Sequence, residues 1–261
     1  MILEHIPVDK EGRQTLVACA LVAIRWTRPS QRRLFSSVWI GYGNYQRWMN
    51  GVVLSGSKSH LLKYILSFRH LSTRGFGIKD TMRTLPEVSG EYLSGLINIH
   101  TLELFQIRIQ HISKGEFHTC FSAFRETLTY LTLEYFDTSF SAFVTLVDYF
   151  PNVTTLRLGS FSVIPDEGPV PPLSRPLRGT IRLGCSISRC AGFFDRLAKL
   201  DPEYEELVLL SPYCAGAVLV ESFLRLCART VKYLRLTTEF EREHAYKTSS
   251  SLRILTRIFT F

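Results

Sequence analysis

The sequence predicts an α/β solenoid, built from stacked units of one strand and one helix, behind a short helical segment at the N-terminus. Two observations predict it: a strand-like alternation of apolar residues recurs seven times along the chain, and apolar residues at helical spacing stand between the copies. The 261 residues are 46% hydrophobic and 21% charged. This balance is typical of a globular protein with a buried core.

The recurring strand pattern defines the repeat. The first inward apolar residue of each copy is expected at Leu71, Leu102, Leu131, Leu156, Ile181, Leu207 and Leu234. Consecutive members of this series are 25 to 31 residues apart. Leucine-rich repeats span about 20–29 residues, so the spacing predicts a leucine-rich-repeat solenoid over residues 49–261. Leu131, Leu156 and Leu207 are predicted to lie in its core.

Helical segments are predicted between the strands. Phe121, Phe124 and Leu128 have helical spacing and precede one of the strands. Pro151 predicts that another helix ends at Phe150, because the residue before a proline disfavours the helical conformation. One strand and one helix in each unit would line the concave and convex faces of a curved solenoid.

Three parts of the chain depart from the simple unit or remain to be placed. Residues 160–178 carry five prolines, so they predict an irregular crossover, with a Pro-rich binding motif as the less favoured alternative. Residues 215–230 predict an amphipathic helix. The last spacing would place a further strand near residues 259–265, so we expect the C-terminus to be either cut short or atypical.

Charge and cysteine content restrict the class of protein. The net charge is +8, yet no Lys/Arg-rich run marks a nucleic-acid patch, so a solvated basic surface is the favoured interpretation. Six cysteines without a signal-peptide pattern predict reduced thiols in an intracellular protein, cytoplasmic or nuclear. The longest apolar run is far shorter than the roughly 20 residues of a membrane-spanning helix. We therefore expect no membrane association.

No motif in the sequence predicts catalysis. The cysteines and the seven histidines lack zinc-site spacing, and no local arrangement of carboxylates, His and Ser suggests a catalytic site. We therefore expect neither an enzyme nor a metal or cofactor site.

Residues 1–48 stand outside the repeat and predict small helices that are too short to fold alone. They contain ILEHI, then TLVACALV, then Trp26, then SQRRLFSSV. This series resembles an F-box joined to leucine-rich repeats, as in F-box-like proteins of basidiomycete fungi. Leu21, Val22 and Trp26 match the middle element of the motif, and Leu34 and Phe35 match its close. The Leu-Pro start of the motif is missing, so the F-box is truncated at its start.

The resemblance implies a protein-interaction module, the substrate receptor of a ubiquitin ligase of the SCF (Skp/cullin/F-box) type. F-box helices of this family dock on a Skp-type adaptor within the cullin complex, and the repeats hold the protein target. A leucine-rich-repeat scaffold without adaptor binding and a basic nucleic-acid-binding protein remain as alternatives. Adaptor contacts are expected at Ile2, Leu3, Leu16, Leu21, Val22, Trp26, Leu34 and Phe35.

The concave face of the solenoid is the predicted target-binding surface. Side chains alternate along a strand, so the residues between the leucines point outward. Those expected to contact the target are Glu103, Tyr130, Thr132, Arg157, Arg182 and Arg235. Arg157 and Arg182 take equivalent positions on adjacent strands, which predicts that they converge on one anion of an acidic or phosphorylated target.

Overall fold

The computed structural model of the chain describes residues 6, 9–40, 59–71, 95–107, 109, 114–164, 166, 172–184, 191–210 and 230–237. The predicted boundary between residues 48 and 49 lies outside these ranges. So do the predicted helix at 215–230, apart from Thr230, and the predicted strand near the C-terminus.

Two helices form the N-terminal part of the described chain. Helix α1 (Lys10–Val22) begins at Asp9, whose carboxylate accepts a hydrogen bond of 2.8 Å from the Gly12 amide. The extended conformation of Ala23 ends this helix, and α2 (Ile24–Leu34) begins at the next residue. Helix α2 continues through Pro29 as far as Leu34, although a proline in a helix interior removes a backbone hydrogen-bond donor.

The core of the fold is a parallel sheet of eight strands. Its strands, in spatial order, are β1 (Ser37–Ile40), β2 (Ser67–Leu71), β3 (Thr101–Phe105), β4 (Tyr130–Glu134), β6 (Thr155–Leu158), β8 (Arg178–Leu183), β9 (Glu203–Leu210) and β10 (Tyr233–Thr237). Strands β5 (Phe136–Ser139) and β7 (Phe161–Ile164) form a second, parallel pair. Because β1 pairs with β2, the sheet already begins within the predicted N-terminal segment.

Helices and turns connect these strands. The described α-helices that follow β3 are α3 (Lys114–Phe121), α4 (Phe140–Tyr149) and α5 (Ala191–Ala198), and short 3-10 helices cover Ser59–Tyr64 and Ser122–Phe124. Helix α4 begins at Ser139, whose hydroxyl accepts from the Ala142 amide. It ends with Phe150 as its C-cap, so the predicted helix end before Pro151 is confirmed.

The strand register aligns the predicted inward residues. The register pairs run in one row across β3, β4, β6, β8, β9 and β10: Leu102, Leu131, Leu156, Ile181, Leu207 and Leu234. Leu131, Leu156 and Leu207 are at most 2% exposed, which confirms them as core residues. The first member was predicted wrongly, because Phe68 pairs with Leu102 and Leu71 pairs with Phe105. Alternation by itself allows either register.

The predicted leucine-rich-repeat solenoid is wrong. The structure is a mixed α/β fold on a parallel sheet, and no solenoid is found within the described ranges. The repeated pattern determines only the strand, and the connections differ. Residues 95–100 form turns where a helical lead-in was expected, and the connection from β4 to β6 contains both β5 and α4. The described part of 160–178 contains β7, which the sequence did not predict, and no helix.

A cluster of buried phenylalanines joins the connecting segments to the sheet. Its members are Phe121, Phe124, Phe136, Phe140, Phe143, Phe150, Phe161, Phe193 and Phe194. The Phe193 ring centroid lies 4.9 Å from those of Phe143 and Phe161, in edge-to-face contact. The cluster therefore packs α4, α5 and the second sheet into the same core as the leucine row.

We expect Leu131→Ala, Leu156→Ala and Leu207→Ala each to reduce the free energy of unfolding by about 2–5 kcal/mol, because each leaves a cavity in a packed core. Urea denaturation of the purified chain measures this loss. Leu21→Ala is the control, since this leucine is 83% exposed. A loss below about 1 kcal/mol at two of the three core positions would contradict the register.

We expect Gly179→Ala to destabilise the protein by about 1–3 kcal/mol or more. Gly179 has φ +88°, and an added Cβ would lie 2.2 Å from the Thr154 carbonyl oxygen. That oxygen accepts a hydrogen bond from the Thr180 amide. The clash would therefore disturb the backbone hydrogen bonding that joins β8 to the start of β6. Gly192→Ala is the matched control, because its Cβ would meet no atom within 4 Å. Equal thermal stability of the two variants would refute this account.

Candidate protein-binding surfaces

The polar face of the sheet carries one continuous row of side chains, here called the central row. The register aligns Trp39, Arg69, Glu103, Thr132, Arg157, Arg182, Val208 and Arg235. Adjacent strands lie about 4.8 Å apart, so neighbours in this row are within reach of each other. The structure thus places five of the six predicted target-binding residues in one row, and Tyr130 begins the strand that holds Thr132.

Three arginines of the central row form ion pairs with a carboxylate of an adjacent strand. The pairs are Arg69 Nε with Glu103 Oε2 (2.6 Å), Arg157 Nε with Glu134 Oε1 (3.1 Å) and Arg235 Nη2 with Glu206 Oε1 (2.9 Å). The carboxylate side chains are only 17–21% exposed, so the charges are partly desolvated. Each of these arginines therefore has its counter-charge within the protein.

Arg182 is the exception in this row. It forms no ion pair with a carboxylate of the described residues. Its Nε, like that of Arg157, is buried without a hydrogen-bond partner. Its guanidinium carbon lies 6.0 Å from the centroid of the Tyr130 ring. Its register neighbours are Arg157 and Val208, and neither side chain can accept a hydrogen bond. The central row thus holds one guanidinium that lacks an acceptor in the described structure.

The structure does not bring the guanidinium groups of Arg157 and Arg182 together, as the predicted shared anion site would require. Arg157 contacts Glu134 at the C-terminal end of β4, and Arg182 lies over Tyr130 at the N-terminal end of the same strand. These ends are four residues, or roughly 13 Å, apart. Thr132 lies between them and is 2% exposed, which leaves no room for a target to contact it. Alternation predicted the row but not the direction of its long side chains.

The second candidate surface is the junction of α1 and α2, here called the helix tip. Leu21, Val22 and Ile24 are 83%, 75% and 93% exposed, and Trp26 is 38% exposed. The predicted adaptor residues Leu21, Val22 and Trp26 are thus available to a partner. Leu16 is not, because it is completely buried. Among the other predicted contacts, Leu34 and Phe35 are half-buried, and Ile2 and Leu3 lie outside the described residues.

Exposed arginines lie on the two helices that form the helix tip. The exposed residues of these two helices include Arg13, Arg25, Arg28 and Arg32, and the Arg25 guanidinium lies 5.8 Å from the centroid of the Trp26 ring. A cleft with a volume of about 380 Å³ runs along α1, lined by Arg13, Gln14, Val17, Ala18 and Leu21. The combination of an apolar centre and a positive rim is typical of a protein-binding patch.

Sequence reasoning missed residues on both surfaces. Ile24 was not among the predicted adaptor contacts, yet it is the most exposed apolar residue of the helix tip. Only the helix break at Ala23 turns its side chain outward, and no sequence signal marked that break. Arg69 was missed because the first strand was placed three residues too late. Its partner Glu103 offered a signal, since an acid on one strand favours a base opposite it.

The Pro-containing segment is fixed to its surroundings at both described ends. The Asp166 carboxylate accepts from the Ser141 amide at the start of α4 (3.0 Å), and Asp148 accepts from both the amide and the hydroxyl of Ser174 (2.7 Å each). Arg175 donates to the Phe150 carbonyl. Burial lowers the pKa of Arg175, and Asp148 opposes that shift. These contacts favour a structural crossover over a binding motif.

We expect Arg157→Met to reduce the free energy of unfolding by about 1 kcal/mol, because it removes the ion pair between Arg157 and the partly buried Glu134. Arg182→Met should leave stability nearly unchanged, since no carboxylate of the described residues loses a partner. Urea denaturation of the two variants at the same ionic strength compares these losses. A larger loss for Arg182→Met would show that this side chain has a structural partner.

Neither a metal centre nor a membrane span is found in the described part of the chain. No group of three or more His, Cys, Asp or Glu in those ranges is placed to hold a metal ion. None of the described helices is both long enough and apolar enough to cross a bilayer. No protein-family model matches the chain, and no curated protein is significantly similar to it.

Proposed function

We propose that this chain is a protein-interaction module that serves as the substrate receptor of an SCF-type ubiquitin ligase. In this role the helix tip binds a Skp-type adaptor, and the polar face of the sheet binds the target protein. The observation that carries the proposal is the exposure of Leu21, Val22 and Ile24 at the junction of α1 and α2. The F-box-like sequence of the N-terminal segment is what suggests the identity of the adaptor.

Burial of the helix tip would supply binding energy. Complete burial of a Leu, Val or Ile side chain contributes about 1.5–3 kcal/mol. Three such side chains lie within four residues, and the neighbouring Leu16 is already buried and so contributes to the folding of the helix pair. The exposed residues are therefore available to a partner without cost to the hydrophobic contacts of the helices.

The two surfaces lie on different elements of the structure. The helix tip belongs to α1 and α2, whereas the central row belongs to the eight-stranded sheet. A protein bound at one surface need not occupy the other. A receptor of this kind performs no chemistry, and its contribution is to hold the target close to the ligase. The proposed role places the protein inside the cell, where such ligases act.

Nucleic-acid binding is less well supported. A phosphate backbone is bound by several lysines or arginines that are free to neutralise it. On the central row three of the four arginines are paired with carboxylates of the same face. The helix tip does have arginines at its rim, but its centre is apolar. Together these surfaces favour a protein partner.

The receptor role predicts that Leu21→Asp combined with Ile24→Asp weakens binding of a purified Skp-type adaptor more than tenfold, because two carboxylates would have to be desolvated at an apolar contact. Isothermal titration calorimetry measures the affinity. Both side chains are highly exposed, so circular dichroism should show an unchanged fold.

Ile97→Asp is the matched control. Ile97 is 50% exposed and lies in the turn before β3, outside α1 and α2. It should leave adaptor binding unchanged. If the wild-type chain fails to bind the adaptor at roughly 10 μM, the receptor role is refuted, and an interaction scaffold without adaptor binding becomes the better account.

A further inference from the structure

We infer that Arg182 is the specificity-determining residue of the target surface, and that it binds the carboxylate of an aspartate or glutamate side chain on the target protein. The inference rests on the proposed function, because it assumes that the polar face of the sheet binds a protein. It goes further by naming one residue and one chemical group, in place of the predicted pair of arginines.

The charge balance of the central row singles out Arg182. Arg69, Arg157 and Arg235 each lie within 3.1 Å of a carboxylate oxygen of a neighbouring strand. The strand that follows Arg182 offers Val208 at the same register position, where the strand that follows Arg69 offers Glu103. No carboxylate of the described residues forms an ion pair with Arg182, so an acidic group that neutralises it would come from outside the described structure.

The surroundings of Arg182 prepare it for such a group. The guanidinium carbon lies 6.0 Å from the centroid of the Tyr130 ring, a cation–π contact that does not use the N–H donors for a hydrogen bond to an acceptor oxygen. Its Nε is buried, as is that of Arg157, so a target would reach Arg182 at the terminal Nη groups. A carboxylate can accept hydrogen bonds from the N–H groups of these nitrogens. Binding of the target would then give this guanidinium the counter-charge that no described carboxylate provides.

The neighbouring carboxylates favour a ligand with a single negative charge. Glu134 lies against Arg157, and Glu206 accepts from Thr180 (3.1 Å) as well as pairing with Arg235. These acids stand on both sides of the strand that carries Arg182 and would repel a polyanion. One aspartate or glutamate side chain balances the one unmatched guanidinium, so an acidic peptide segment fits better than nucleic acid or a phosphate cluster.

The test uses the full chain and arrays of degenerate peptides that share one fixed central residue. The fixed residue is Asp, Glu, Asn, Gln or phosphoserine, and fluorescence measures the amount of labelled chain retained. We expect peptides fixed at Asp or Glu to retain about tenfold more wild-type protein than those fixed at Asn or Gln. Arg182→Met should abolish this preference, and Arg182→Lys should restore only part of it, because an ammonium lacks the planar fork.

Arg178→Met is the matched control. Arg178 is on the same strand, its side chain is 65% exposed, and its loss changes the net charge by the same amount. It should keep the acidic preference. A preference that survives Arg182→Met, or that falls equally in Arg178→Met, overturns the inference while the target-binding role stands. Stronger retention by phosphoserine overturns the choice of carboxylate. Failure of every array to retain the wild-type chain contradicts the target-binding role itself.

Discussion

The parallel register of the eight-stranded sheet is the constraint on which the rest of the structure depends. Hydrogen bonds between neighbouring strands place Leu102, Leu131, Leu156 and Leu207 in one buried row. A shift of one residue would turn every leucine of a strand to the polar face and every charged residue to the core. The register is therefore held from both sides of the sheet, by apolar burial on one face and by ion pairs on the other.

The same register creates the chemistry of the polar face. Because side chains alternate, the residue between two buried leucines always points to the opposite face, and parallel pairing aligns these residues into the central row. Glu103, Glu134 and Glu206 then lie close enough to arginines of adjacent strands to neutralise them. These ion pairs remove the repulsion that the arginines of the central row would otherwise exert on one another. Arg182 is the arginine of this row that has no ion pair with a described carboxylate.

In the proposed function, the helix tip and the central row would bind their partners through different kinds of contact. The helix tip has apolar residues with a positive rim, so its contribution to binding would come mainly from burial of hydrophobic surface. The central row is partly desolvated and already charge-balanced, so its contribution would come mainly from selectivity among targets. This division suits a protein that keeps one constant partner and distinguishes between others. The phenylalanine cluster contributes to neither surface, but it packs the connections that hold the strands in place.

The sequence by itself determined six strands of the central sheet, β3, β4, β6, β8, β9 and β10, and the leucine-row residue of each. Alternation at a nearly constant spacing predicted six of the leucine-row residues, because burial of one sheet face imposes a period of two. It could not determine the architecture. The connections differ in length and composition, and their structure depends on contacts among Phe140, Phe161 and Phe193, which are distant in the sequence.

Only the tertiary structure decided which predicted site residues can act. Leu16 and Leu21 are similar in sequence context, yet packing of α1 on α2 buries the first and exposes the second. Arg157 and Arg182 occupy equivalent positions on adjacent strands, yet one finds a carboxylate and the other does not. The direction that a long charged side chain takes depends on which opposite charges lie near it in the folded structure. The sequence pattern predicts the face of the sheet on which such a side chain lies, but it does not predict the residue with which the side chain pairs.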